Sequence, residues 1–116
     1  MKIIALEQVS AMPMQMEGAF KVDKQVPLGK EDDAPSFSFR VFTVEPEGHT
    51  PYHIHAFEHM NYIIAGEGVL VDEVGGQHPV KAGDFAMVLP NEKHQYRNTS
   101  ATEDLKFICA VPLAYE

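Results

Sequence analysis

The chain has 116 residues, the length of a single domain, and with 45% hydrophobic residues it can bury a core without disulfides. Seventeen acidic and nine basic residues give a formal charge of −8 without a basic patch, which excludes nucleic acid as a partner. The single cysteine, Cys109, excludes a disulfide framework and any metal site made of several thiolates, so a bound metal would need nitrogen and oxygen ligands.

The N-terminal part, residues 1–35, is predicted to be a strand and loop segment of a single domain that spans residues 1–116. Met12, Met14 and Met16 alternate around Pro13, which favours an edge strand packing its methionine face on the body or on a second copy of the chain. A soft copper site is the alternative for these methionines. Residues 23–35 are rich in charge, proline and glycine, which predicts a solvated loop.

Residues 37–112 have the rhythm of an all-β domain. Short β-type runs follow one another at intervals of about ten residues and are closed by glycine, proline or asparagine. The runs are 37–44, 62–64, 69–74, 85–89, 94–98 and 105–111. No apolar period of 3.6 residues long enough for a major helix occurs among them. The pattern predicts a β-sandwich or a small closed barrel.

Four of the six histidines form two clusters, and this is the most informative feature of the sequence. His53 and His55 share a face of an extended segment, and His59 follows after a short irregular stretch that can return its ring to the same point. His94 comes from a distant part of the chain. Three or four imidazoles buried together without an ion would leave many polar atoms unpaired, so a shared metal site is the interpretation we favour over exposed histidines.

The two clusters resemble the two motifs of the cupin family, G-x5-H-x-H-x3,4-E-x6-G and G-x5-P-x-G-x2-H-x3-N. The matching residues are Gly48, His53, His55 and Gly66 in the first motif, and Gly83, Pro90, His94 and Asn98 in the second. His59 stands at the position of the motif glutamate, with Glu58 one residue earlier. Gly48 and Pro90 are each displaced by one residue, and Glu92 lies near the second motif's glycine.

The resemblance is to small single-domain cupins with four histidines, some of which bind manganese. It implies a double-stranded β-helix, the cupin or jelly-roll barrel, that holds one divalent transition metal ion per chain through His53, His55, His59 and His94. Manganese or iron fits the resemblance best, while imidazole ligands also suit nickel, zinc, cobalt and copper. A homodimer is also implied.

Four neutral ligands would leave the full charge of the ion on the site, which favours Lewis acidity and the reduced state of a redox metal. Six-fold coordination would leave two positions open for a small-molecule substrate, dioxygen or water. The reaction we expect is a metal-dependent oxidation of dioxygenase or oxidase type. A metal-dependent sugar or keto-acid isomerase and a non-catalytic small-molecule binding or sensor barrel are the alternatives.

Other residues are weaker candidates for a catalytic role. Tyr96 shares the strand parity of His94 and either lines the cavity or packs with its hydroxyl at the rim. Cys109 shares the apolar face of its strand, which predicts an inward thiol, and Glu58 is a candidate proton shuttle or ligand.

Arg40 and Arg97 could bind an anionic substrate, but solvated arginines are the default expectation. His49 and His78 lie in turn-like contexts and are expected at the surface.

Overall fold

The computed structural model describes all of residues 1–116, and nearly all of its regular structure is β-strand. The strands are β1 (Met12–Pro13), β2 (Phe20–Leu28), β3 (Phe37–His49), β4 (His59–Ala65), β5 (Glu67–Val71), β6 (Gln77–Lys81), β7 (Phe85–Val88), β8 (Gln95–Asn98) and β9 (Leu105–Pro112). Three single 3-10 turns cover Leu6–Gln8, Lys30–Asp32 and Leu113–Tyr115. None of these helical turns has the length or the apolar character needed to cross a membrane.

The strands form one curled antiparallel sheet in the order β6-β5-β8-β3-β9-β4-β7, with β2 added to β3 and β1 added to β2. The long strand β3 joins the two halves of the curl. Its residues 37–44 pair with β9, whereas its last residue, His49, pairs with Arg97 of β8. The chain bends between these two pairings, where Glu47 has a φ of 70°. This architecture confirms the predicted double-stranded β-helix.

The core lies inside the curl and follows the period of two along each strand. On β9, Leu105, Phe107, Cys109 and Val111 are buried, and the residues between them are only partly covered. Val44 of β3 lies opposite Leu105, and Phe42 lies opposite Phe107. The inward thiol predicted for Cys109 is therefore present, because that residue is fully buried.

The loop prediction for residues 23–35 was wrong in its first half, where β2 continues to Leu28 and pairs with β3. The register shifts between Gln25 and Leu28, and this irregularity accommodates Pro27, which has no N–H to donate to a ladder. Strand β6 was also missed. It contains Pro79 and lies at the edge of the sheet, where a proline is tolerated.

The outer face of β3, β9, β4 and β7 carries an exposed apolar row. Phe39 lies opposite Ala110, Ala110 opposite Met60, and Met60 opposite Met87, so the four side chains form a line across the sheet. Phe39, Met60 and Met87 are all exposed. The homodimer remains a prediction from the family resemblance, because the structure contains one copy of the chain.

We expect the Leu105→Ala substitution to lower the free energy of unfolding by about 2–5 kcal/mol. Leu105 is fully buried, lies opposite Val44 of β3 and packs beside Gly68 of β5, so truncation leaves a cavity. Urea denaturation followed by circular dichroism measures the loss. Val74→Ala is the matched control, since Val74 is 91% exposed and its truncation is expected to change stability by less than about 0.5 kcal/mol. Equal effects of the two substitutions would contradict the position of the core.

Candidate metal centre

His53 and His94 face each other because their backbones are hydrogen-bonded as an antiparallel pair. The N–H of His53 donates to the carbonyl of His94 at 3.2 Å, and the N–H of His94 donates to the carbonyl of His53 at 3.1 Å. Directly opposite residues project their side chains to the same face of a sheet. Their ring centroids are accordingly 5.0 Å apart.

His55 is two residues beyond His53 and brings its ring to within 5.0 Å of His53 and 4.8 Å of His94. Its Nδ1 lies 2.8 Å from the carbonyl oxygen of Phe57. A carbonyl oxygen only accepts, so Nδ1 carries the proton and Nε2 carries a free lone pair. This Nε2 is buried and has no hydrogen-bond partner.

The same logic sets the tautomer of His94. Its Nδ1 donates to the carbonyl oxygen of Glu92 at 2.9 Å, which leaves Nε2 unprotonated. Imidazoles held in this way by a backbone carbonyl are typical of metal ligands. One potential ligand atom from each of His53, His55 and His94 lies within 4.8 Å of the others. Two atoms that bind one ion at about 2.1 Å are at most about 4.2 Å apart, so small side-chain movements suffice to bring the three nitrogens to one ion.

His59 begins β4 and lies beside this trio, with its ring centroid 4.1 Å from that of His55 and 5.5 Å from that of His94. Its Nε2 is 3.4 Å from Nη2 of Arg40. A guanidinium only donates, so the lone pair of His59 is directed to Arg40 rather than to the other imidazoles. The structure thus brings together all four predicted histidine rings but only three of their ligand atoms.

Burial keeps these imidazoles neutral. Desolvation lowers the pKa of His53 to about 4, with further lowering from His94, His55 and Arg40. Desolvation also lowers the pKa values of His55, His59 and His94, and Arg40 is the second cause for His59. Neutral imidazole is the form that binds a metal, so at physiological pH the four histidines are in the protonation state that metal binding requires.

The histidines lie in a cavity of about 540 Å³, within the usual range for small-molecule sites. Its wall includes the N-terminal residues 12–16 and the aromatic side chains of Phe57, Phe107 and Tyr115. Phe57 stacks between His55 and Tyr115, at centroid distances of 4.1 Å and 4.0 Å. This three-ring stack holds the C-terminal 3-10 turn against the histidine cluster.

Two of the three weaker candidates line this cavity. Tyr96 is buried, stacks on Phe107 and donates its hydroxyl to Oδ1 of Asn61 at 3.0 Å. Burial raises the pKa of Tyr96, so the phenol stays protonated. Burial likewise raises the pKa of the Cys109 thiol, against the opposing effect of Arg40. Glu58 is exposed and is not part of the cavity wall.

Arg40 is the residue that the sequence interpretation placed wrongly. It was expected in solvent, yet it is 7% exposed and its side chain lines the cavity. The alternation of side chains along β3 could have predicted this position, because Ser38, Phe42 and Val44 lie on the same face of the strand as Arg40 and are all buried.

Arg97 is exposed, as expected. His49 and His78 lie outside the cavity wall.

The model of the cupin domain family matches residues 40–111, which is more than half of the chain. Among solved structures, the polyketide cyclase RemF from Streptomyces resistomycificus is similar with a TM-score of 0.92 and 26% identity, over 97% of this chain and 80% of that one. A predicted oxalate decarboxylase from Thermotoga maritima has a TM-score of 0.83 and 27% identity, over 97% of this chain and 99% of that one.

A cupin 2 domain-containing protein from Halorhodospira halophila is 31% identical with a TM-score of 0.73, over 82% of this chain and 64% of that one. No curated protein matches the sequence.

We expect the metal-free protein to lose stability as the pH falls from about 6.5 to about 4. An unfolded chain takes up protons on its histidines near pH 6.5, whereas the folded protein holds the pKa of His53 at about 4 and lowers those of its neighbours. The unfolded state therefore binds more protons across this interval, and the free energy of unfolding declines with falling pH. Thermal melts across the interval measure it. The melting temperature should depend less steeply on pH for His53→Gln than for the wild-type protein. An identical dependence would contradict the lowered pKa of His53.

Proposed function

The chain belongs to the cupin domain family, and on that premise we propose that it binds one divalent transition metal ion and acts on a small molecule in the cavity beside it. His53, His55 and His94 would hold the ion, and His59 is the proposed fourth ligand. Manganese or iron is the proposed metal, since some of the four-histidine cupins that the sequence resembles bind manganese. The buried, unpartnered Nε2 of His55 is the observation that carries the proposal.

An orphaned imidazole nitrogen in a buried position costs free energy unless a ligand satisfies it. Two more imidazoles that are neutral, and one of which is oriented by a backbone carbonyl, share the same small volume. A donor set of neutral nitrogens fits a borderline transition metal and not calcium or magnesium, which prefer oxygen. When bound, such an ion supplies Lewis acidity and, for manganese or iron, one-electron chemistry.

The chain's own residues would prepare the substrate. The aromatic side chains of Phe57 and Phe107 exclude water from the cavity wall, which strengthens polar contacts inside it. Tyr96 keeps its proton and holds it on Asn61, so it is suited to stabilise the wall and not to serve as a base. Glu58 is exposed and lies outside the cavity wall, and the one acidic residue of the wall, Glu116, already accepts hydrogen bonds from Ser38 and from the N–H of Lys30.

Metal-dependent oxidation of a small molecule is the reaction class that this wall supports best. In a dioxygenase reaction both atoms of dioxygen enter the product, so neither a reductant nor a leaving group is needed. In an oxidase reaction the substrate gives two electrons and two protons to dioxygen, which leaves as hydrogen peroxide. Both suit an apolar cavity without a built-in acid–base pair.

Lewis-acid chemistry without redox change is the second candidate, and it includes the isomerase alternative. The similarity to RemF, described as a polyketide cyclase, over nearly the whole chain favours it. Its weakness is that neither candidate proton shuttle suits the role, because Glu58 is exposed and Tyr96 keeps its proton on Asn61.

We expect untagged protein purified from cells grown with manganese and iron to contain about one transition metal ion per chain. Inductively coupled plasma mass spectrometry measures this content. His53→Ala and His94→Ala should reduce it by at least tenfold, because each removes a ligand of the trio, while His59→Ala should reduce it less. His78→Ala is the control and should retain the metal. Wild-type protein without metal under these conditions would contradict the proposal.

We expect oxygen uptake to depend on a redox-active ion. Small molecules with two adjacent oxygen donors are the first substrates to test, namely oxalate, an α-keto acid and a β-diketone, with protein loaded with iron, manganese or zinc. An oxygen electrode should show turnover with iron or manganese and none with zinc. Product formed equally with zinc under argon would replace oxidation by Lewis-acid chemistry. Binding of these compounds without turnover by any loaded form would favour the non-catalytic alternative.

A further inference from the structure

Arg40 occupies an unusual position for a cation. It lies on β3 opposite Cys109 of β9, it is 93% buried, and its guanidinium borders the cavity next to the histidines. Nη2 is 2.9 Å from Sγ of Cys109 and 3.4 Å from Nε2 of His59, and Nη1 is 3.5 Å from the carbonyl oxygen of Tyr115. The guanidinium carbon is 5.1 Å from the ring centre of Phe42.

No partner of Arg40 carries a negative charge in this arrangement. None of the four ion pairs of the structure includes it, and its Nε is buried without a hydrogen-bond partner. A guanidinium has five N–H donors, and the three contacts above use at most three of them. A buried charge costs several kcal/mol unless it is paired, so the fold holds a guanidinium whose natural complement is missing from the chain.

The cavity wall contains few other charged groups. Among its wall residues, Arg40 and Lys24 are the cations and Glu116 is the only acid. Lys24 is already engaged, because its Nζ donates to the main-chain oxygen of Glu116. Arg40 is therefore the cation of the wall that no acidic group of the chain engages, and it is the group that would attract a small anion.

We propose that Arg40 is a substrate-binding residue that receives the carboxylate of a small organic acid inside the cavity. This inference deepens the proposed function, because it names the substrate class of the same site. The guanidinium fork matches a carboxylate in shape and charge. The apolar wall formed by Met14, Phe57 and Phe107 would contact the body of the acid, which favours an aromatic or branched carboxylic acid over a sugar.

The experiment compares benzoate with its neutral isostere, benzamide, by isothermal titration calorimetry. Both probes have the same ring, so their difference in affinity reports the charge. We expect benzoate to bind metal-stripped wild-type protein at least about tenfold more tightly than benzamide, as is usual for a hydrogen-bonded charge. Arg40→Gln should abolish this preference, and Arg40→Lys should retain part of it. Lys24→Gln, which removes the other cation of the wall, should retain most of it.

A second measurement observes Arg40 in the wild-type protein itself. The Nε–H of Arg40 gives its own signal in a nitrogen–proton correlation spectrum, assigned by its loss in Arg40→Lys. Benzoate should shift this signal in the wild-type protein, and benzamide should not. Unchanged Arg40 signals at saturating benzoate would overturn the proposal.

The zinc-loaded protein separates this inference from the proposed function. If benzoate binds only when zinc is present, and equally well in Arg40→Gln, the metal alone holds the anion and the role of Arg40 is refuted. If the metal-stripped protein prefers benzoate but the metal content of the purified protein is zero, Arg40 keeps its role and the metal proposal fails.

Discussion

The backbone pair between His53 and His94 is the constraint on which the site depends. It continues the pairing of β3 with β8, in which His49 lies opposite Arg97 and the N–H of Thr50 donates to the carbonyl of Tyr96. Two histidine clusters that are distant in sequence therefore meet because of sheet register and not because of a loop conformation. Register in a sheet with one buried face is strongly specified, since a slip of one residue would exchange inner and outer side chains. The position of the imidazoles is thus protected by the same hydrophobic core that stabilises the fold.

Burial then determines the chemistry of the cluster. Desolvation holds the imidazoles neutral, and carbonyl oxygens fix the tautomers of His55 and His94 so that their lone pairs are free. The same burial places Arg40 beside them without a carboxylate partner. The guanidinium would repel a metal cation held by these imidazoles. An anion in the cavity would reduce this repulsion, because both cations would attract it. The affinities for the metal and for the anion would then be linked.

Much of this arrangement could be predicted from the sequence, and the failures have identifiable causes. The period of two placed Cys109 inward correctly, and the spacing of the histidines predicted a cluster that the structure contains. Arg40 was assigned to solvent from its residue type, although its parity with Phe42 and Val44 pointed inward. Strand β2 was missed because three charged residues and Pro27 interrupt its apolar residues. Its backbone is held by the long neighbour β3, which local sequence does not reveal.

His59 shows why the ligand set could not be fixed from the motif alone. The spacing of the motif correctly predicted that its ring lies in the cluster. Its Nε2, however, lies 3.4 Å from Nη2 of Arg40. One lone pair serves one partner, so His59 either accepts from Arg40 or coordinates an ion. The hydrogen bond is long and correspondingly weak. Ligation of an ion by three or by four histidines would therefore differ by a single weak contact, and the other partner in that contact, Arg40, lies on β3, outside both histidine clusters.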